Sequence, residues 1–279
     1  MYPPITTPFN EDESIAWDKL QSNLEKWNQV ESLRGYLVQG SNGEYCYLTS
    51  EERIQMIEKV CQWSGKDKLV LAGSGMESTK ATIEMTNAMA KAGAHAAVVI
   101  TPCYFKGRMT AESLIQHFNK VADESSVPII LYSVPANTTL DLPVEVAIKL
   151  SQHPNIVGIK DSGGDITKIA QMVHGTKDQE FGILAGSASF LLPALQVGAI
   201  GKNDLLVKRC KDNLLNLLRN LKFLGGICAL ANALPAEVAT LQSLYEQSKM
   251  KEAVDLQHRL VKPNSIGKKL RLRLSHFSI

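Results

Sequence analysis

The sequence predicts an α/β protein built as a (β/α)8 TIM barrel with a truncated C-terminal helical extension. Three observations carry that expectation. Short apolar runs recur about every 25 to 30 residues, the stretches between them carry helix signals, and polar or glycine-rich residues follow the ends of the runs.

The first run is Tyr2 to Thr7, and the second is Gly35-Tyr36-Leu37-Val38. Then come Leu69-Val70-Leu71-Ala72, Ala96-Ala97-Val98-Val99-Ile100, Pro128-Ile129-Ile130-Leu131, Ile156-Val157-Gly158-Ile159, Phe181-Gly182-Ile183-Leu184-Ala185 and Gly226 to Leu230. Continuous apolar runs, unlike alternating ones, mark strands buried on both faces, as in a parallel sheet. Between the second and third runs, Thr49-x-x-Glu52 is a capping box, and Ile54, Ile57 and Cys61 follow on one helix face. Gly93 ends a helix that starts near Ser78. A doubly wound open sheet is the competing arrangement.

Composition removes several function classes. The 279 residues are 44% hydrophobic, as in an ordinary globular protein, and no apolar run approaches the length of a membrane span. The five cysteines form no Cys-x-x-Cys pair, which predicts neither a disulfide framework nor a zinc site and points to a reducing, intracellular compartment. The six histidines lack i, i+4 partners, so no metal is expected. Gly73-Ser74-Gly75 is not followed by the Lys-Ser/Thr of a phosphate loop, and no nucleotide cofactor is expected. The net charge of +2 is concentrated in residues 202–224, with six basic and two acidic side chains, and 265–279, with four basic ones. Neither segment has the aromatic interleaving of a nucleic-acid surface.

In a barrel, chemistry sits where strands run into loops. The sixth run ends on Lys160, an amine in apolar surroundings. At the reference pKa only roughly one lysine in two thousand is uncharged at neutral pH, so a site that favours the free amine turns a spectator into a Schiff-base nucleophile. Tyr132 closes the neighbouring run, and Tyr104 follows the run before it; a phenol beside an iminium can shuttle protons. Gly40-Ser41-Asn42-Gly43 follows the second run, and its flanking glycines suit a backbone cradle for a carboxylate. Gly186-Ser187-Ala188 follows the seventh.

These stretches resemble the dihydrodipicolinate synthase and N-acetylneuraminate lyase family of class I pyruvate aldolases. The resemblance rests on residues 2–9, 38–44, 71–75, 101–104, Leu131-Tyr132-Ser133-Val134-Pro135-Ala136-Asn137-Thr138, 158–165 and 228–232. It implies a metal-free, cofactor-free enzyme acting on a small 2-oxo acid, assembled as a homotetramer. Lys160 would form the imine and Tyr132 would move the proton. Ser41, Asn42 and Gly43 would hold the substrate carboxylate, and Tyr104 would complete a relay across a subunit boundary. Ser162 would position the second half of the substrate, beside Gly186. In the synthases of the family the loop after the tyrosine carries an arginine for a second carboxylate, whereas here Val134-Pro135-Ala136-Asn137-Thr138 stands there. That difference and the lysine motif lean towards the branch that cleaves 4-hydroxy-2-oxoglutarate to pyruvate and glyoxylate in mitochondria, with oxaloacetate decarboxylation as a side reaction. A synthase-like or sialic-acid-lyase-like activity, and a non-catalytic form, are the alternatives.

The expected organisation is a barrel over residues 1–234, interrupted by an insertion at about 202–225, then a partial helical region at 235–264 and an atypical basic tail at 265–279. Leu214, Leu217, Leu218, Leu221 and Leu224 give the insertion helical spacing. Met1 falls inside the first expected strand, so a targeting segment is missing from this chain and the alternative location is cytoplasmic.

Overall fold

A computed structural model describes residues 1–199 and 225–269. Six strands form one parallel sheet in chain order: β1 (Gly35–Val38), β2 (Leu69–Gly73), β3 (Ala96–Ile100), β4 (Ile129–Ser133), β5 (Ile156–Asp161) and β6 (Gly182–Ala185). All but one of their residues are buried, as uninterrupted apolar runs require. The connecting helices are α1 (Trp17–Asn28), α2 (Ser50–Trp63), α3 (Thr79–Lys91), α4 (Ala111–Glu124), the short α5 (Pro135–Thr138), α6 (Val144–Leu150), α7 (Ile166–Gly175) and α8 (Leu191–Gln196). Two more follow, α9 (Pro235–Glu246) and α10 (Met250–Lys269).

Local chemistry sets these helices. The capping box of α2 is complete: Thr49 N–H donates to Glu52 Oε2 at 2.8 Å, and Glu52 N–H to Thr49 Oγ1 at 3.2 Å. Helix α3 starts after Ser78, whose hydroxyl accepts from Ala81 N–H at 3.0 Å, and Gly93 follows it with φ 111°, a left-handed conformation that suits glycine. In α4, Leu114, Phe118 and Val121 recur on one face and are buried against the core.

Among the described residues, the expectation of eight strands is corrected to six strands and two bridge-length segments. Pro4 makes a single parallel bridge to Leu37, and Gly226 one to Ala185. The reason at the front is covalent, because Pro3 and Pro4 have no N–H to give a ladder. Only the acceptor side of the pair and the neighbouring donors remain: Leu37 N–H bonds Pro3 O at 2.9 Å, and Ile5 N–H bonds Leu37 O at 2.9 Å. At the back, Ile227 N–H bonds Ala185 O at 2.9 Å, and the chain then turns into a 3₁₀ segment, Ala229–Asn232. The two segments nevertheless meet, since Tyr2 N–H donates to Gly226 O at 3.2 Å.

Side chains repeat that meeting. One core cluster, which includes Tyr36, Val38 and Phe118, joins sheet to helices; a second contains Leu37 of β1, Leu184 of β6, and Tyr2 and Ile227 from the two bridge segments. Residues from both edges and both short segments thus pack in one apolar cluster. Asn232 stitches the seam: its side-chain amide donates to Pro4 O at 2.9 Å and Ala229 O at 3.0 Å, while its backbone carbonyl accepts from Trp27 Nε1 at 3.0 Å.

Helix α10 continues through Asn264 to Lys269, so the change of sequence at residue 265 is not a change of backbone. It is docked on the loop after β6. Gln257 accepts from Leu192 N–H at 2.9 Å and donates to Ala188 O at 2.8 Å, and Ser187 Oγ donates to Asn264 Oδ1 at 3.3 Å. The leucine-rich segment expected as a helix at 202–225 and the end of the basic tail lie outside the described residues, apart from Gly225 and residues 265–269.

Replacing Asn232 by Ala removes two donors from buried carbonyls, at about 1–3 kcal/mol for each group left unsatisfied. The Asn232→Ala chain is expected to unfold at clearly lower urea than wild type, with an unchanged slope; an unaltered midpoint would show that the seam does not depend on this side chain.

Candidate active site

Parallel pairing sets Tyr132 of β4 opposite Lys160 of β5. Both are almost fully buried, at 4% and 3% exposure, which is uncommon for a lysine. The Lys160 amine lies 3.9 Å from the centre of the Tyr132 ring, a cation–π distance. On the other side of the phenol, Ser41 Oγ is 3.4 Å from the Tyr132 oxygen. Burial alone pushes the phenol up, yet the Lys160 ammonium and hydrogen bonds from Ser41, Ser162 and Lys160 pull the other way and leave it below its ordinary value. Lys160, Tyr132, Ser41 and Ser162 are therefore brought together in one place.

Close backbone approaches make room for them. A Cβ on Gly186 would lie 2.0 Å from Ser162 Oγ, and Gly186 N–H donates to Asp161 O at 2.7 Å, so the loop after β6 rests directly on the end of β5. A Cβ on Gly73 would lie 2.0 Å from the carbonyl oxygen of Gln39. Gln39 itself has φ 64°, a strained conformation for this residue, just before the Gly40-Ser41-Asn42-Gly43 turn.

That turn is one 3₁₀ unit, Ser41–Gly43, with Asn42 and Gly43 buried. Gly43 donates its N–H to Gly40 O at 2.9 Å, and its carbonyl accepts from Thr7 Oγ1 at 2.6 Å. Its backbone is thus engaged within the protein, and Ser41 and Asn42 are left as the groups of this turn able to turn side chains to a carboxylate. Tyr104 is not part of the cluster within one chain. Its side chain is 78% exposed, edge-on to an equally outlying Phe105 at 4.9 Å between ring centres. The loop itself is held: Cys103 and Tyr104 N–H donate to Glu77 Oε2 at 3.0 and 2.9 Å.

A charged group behind β5 was not foreseen from the sequence. Asp161, fully buried, accepts from Lys168 Nζ at 2.9 Å through one carboxylate oxygen and from Gly163 N–H at 2.9 Å through the other. Lys168, on α7, also pairs with Asp141, and Asp141 accepts from Ser133 Oγ at 2.8 Å. The available signal was a lysine beside Ile169 on the buried face of α7. No group of three or more His, Cys, Asp or Glu able to hold a metal occurs among the described residues, and none of their helices is long and apolar enough to cross a membrane.

Residues 1–206 match the model of the dihydrodipicolinate synthetase family. A 4-hydroxy-tetrahydrodipicolinate synthase of Methanoculleus marisnigri is 40% identical over 201 residues, 71% of this chain and 68% of that protein. The one of Methanococcoides burtonii is 32% identical over 239 residues, 86% of this chain and 80% of its own. Two further curated relatives, also named 4-hydroxy-tetrahydrodipicolinate synthase, are matched over 66% and 64% of their own length, so the chain spans about two thirds of these proteins. Among solved structures, the synthase of Methylacidiphilum fumariolicum SolV superimposes with a TM-score of 0.83 at 27% identity, covering 99% of this chain and 86% of that one. The dihydrodipicolinate synthase of Acinetobacter baumannii, complexed with pyruvate, gives 0.81 at 27% identity, covering 95% and 82%. A parallel sheet in chain order, with a buried lysine beside a tyrosine at its strand ends, and a family match over most of its length together place this chain in the dihydrodipicolinate synthetase family.

Proposed function

We propose that this chain is a Schiff-base-forming carbon–carbon lyase that holds a pyruvate-type 2-oxo acid on Lys160. The observation that supports this reading most is the Lys160 amine 3.9 Å from the Tyr132 ring, with the Ser41 hydroxyl 3.4 Å from the phenol oxygen. The uncharged amine attacks the C2 carbonyl, and loss of water gives an imine whose cation is an electron sink for the neighbouring C–C bond. A phenol held below its ordinary value is suited to take a substrate hydroxyl proton and return it. Ser41 and Asn42 hold the substrate carboxylate, and Ser162 with Gly186 shapes the space for the second half.

Two finer readings have separate support. The relatives' names favour a dihydrodipicolinate synthase-like reaction. The loop after Tyr132 favours cleavage of 4-hydroxy-2-oxoglutarate, because α5 and Thr139 carry no guanidinium and the cation at this loop is Lys106, whose amine donates to Thr139 Oγ1 at 3.1 Å. In that reaction Tyr132 takes the C4 hydroxyl proton, the C3–C4 bond breaks, glyoxylate leaves, and the enamine is protonated and hydrolysed to pyruvate. Oxaloacetate decarboxylation uses the same sink with CO₂ as leaving group. Tyr104, exposed in one chain, acts on a neighbouring copy in a homotetramer under this reading.

Borohydride with pyruvate is expected to add a pyruvate-derived mass to Lys160 and none to a Lys160→Ala chain. Tyr132→Phe should slow turnover by about 10² to 10⁴ while trapping persists; an unmodified Lys160 in the folded wild type would sink the imine assignment. Supplied separately with 4-hydroxy-2-oxoglutarate and with the synthase substrates, the enzyme should release glyoxylate faster than it makes 4-hydroxy-tetrahydrodipicolinate, and the reverse order would select the synthase reading. Sedimentation should give a species of about four times the 30.6 kDa chain. Tyr104→Phe should lower turnover without changing that mass, and a fully active monomer would remove Tyr104 from the relay.

A further inference from the structure

We propose that Lys168 is a positioning residue for the imine chemistry, acting through Asp161 and Asp141 to fix the strand ends that carry Lys160 and Tyr132. The proposal rests on the lyase reading above, and its test separates the two.

Asp161 stands between Lys160 and Ser162 and is held at three points. Its carboxylate accepts from Lys168 and from Gly163 N–H, each at 2.9 Å, and its carbonyl accepts from Gly186 N–H at 2.7 Å. The end of β4 is tied into the same group. Ser162 N–H donates to Ser133 O at 2.9 Å; Ser133 Oγ donates to Asp141 at 2.8 Å and accepts from Leu142 N–H at 3.2 Å. Lys168 bridges the two carboxylates, one fully buried and the other half exposed. A single ammonium on α7 therefore joins β5 beside the amine to β4 beside the phenol.

The charges explain why this position needs a cation. A buried carboxylate without its counter-charge is strongly unfavourable, and without Lys168 Asp161 keeps only the Gly163 N–H contact described above. Loss of Lys168 also cuts the bridge from Asp161 on β5 to Asp141 and so to Ser133 on β4, and loosens the backbone on which Lys160 and Ser162 sit. An error of about 1 Å in such a site costs on the order of 10²-fold in rate. Asp141 is half exposed and loses less when Lys168 goes, because water covers it.

The experiment measures the maximal rate of borohydride trapping at saturating pyruvate, together with thermal melting, in the full chain. Lys168→Arg keeps the bridging cation and should trap within a few-fold of wild type. Lys168→Met should trap more than tenfold more slowly. Because Lys168→Met leaves a buried charge and can fail to fold, Asp161→Asn with Lys168→Met in one chain removes both charges. That double variant should melt close to wild type yet remain more than tenfold slow. A double variant that folds and traps at the wild-type rate overturns the positioning role, as does a slow but well-folded Lys168→Arg. Wild-type protein that is never trapped overturns the lyase reading itself, whereas a trapped wild type with equally fast Lys168 variants overturns this inference alone.

Discussion

The register between β4 and β5 is the constraint on which the site depends. Pairing Tyr132 with Lys160 puts a phenol and an amine on adjacent strands, pointing to the same side, one residue before the end of each strand. A slip of one residue on either strand would turn one of the two side chains to the helix layer, where Leu131 and Ile159 now pack. The alternation of the core residues therefore protects the chemistry as well as the fold. Behind the pair, the Asp161–Lys168–Asp141 group takes up the charge that the apolar layer cannot.

The glycines at the strand ends follow from the same crowding. Gly186 lies so close to Ser162 and Asp161 that a side chain has no room, and Gly73 presses on the Gln39 carbonyl. Each lets a loop rest on the neighbouring strand end. The result is a short chain of contacts running from the Ser41 turn, through Tyr132 and Lys160, to the loop after β6, where Gln257 and Asn264 of α10 are anchored.

Much of this was legible in the sequence. Six apolar runs read as strands because a strand buried on both faces has no polar alternation, and Lys160, Tyr132 and Ser41 drew notice because they end or follow such runs. Pro3 and Pro4 were visible but were read as part of a strand; their missing donors limit that place to one bridge. Tyr104 could be placed at a strand end, but not its exposure, since periodicity does not say whether a loop folds inward. The Lys168 group was illegible for a different reason. Its members lie 7 and 27 residues apart and meet only because α7 packs beside α6 and β6, a distance that no local pattern encodes.

The proline-limited seam has a consequence for how the molecule comes apart. β1 and β6 are each covered by a bridge of one residue pair and a few flanking bonds, whereas their inner neighbours are held by full ladders. Local opening follows the sparsest hydrogen bonding, which among the described residues places the first opening between Tyr2 and Gly226, where one hydrogen bond joins the two short segments. Among the described residues this joint has the sparsest hydrogen bonding between neighbouring strands, and Asn232, bonded to the segments on both sides of it, is its latch.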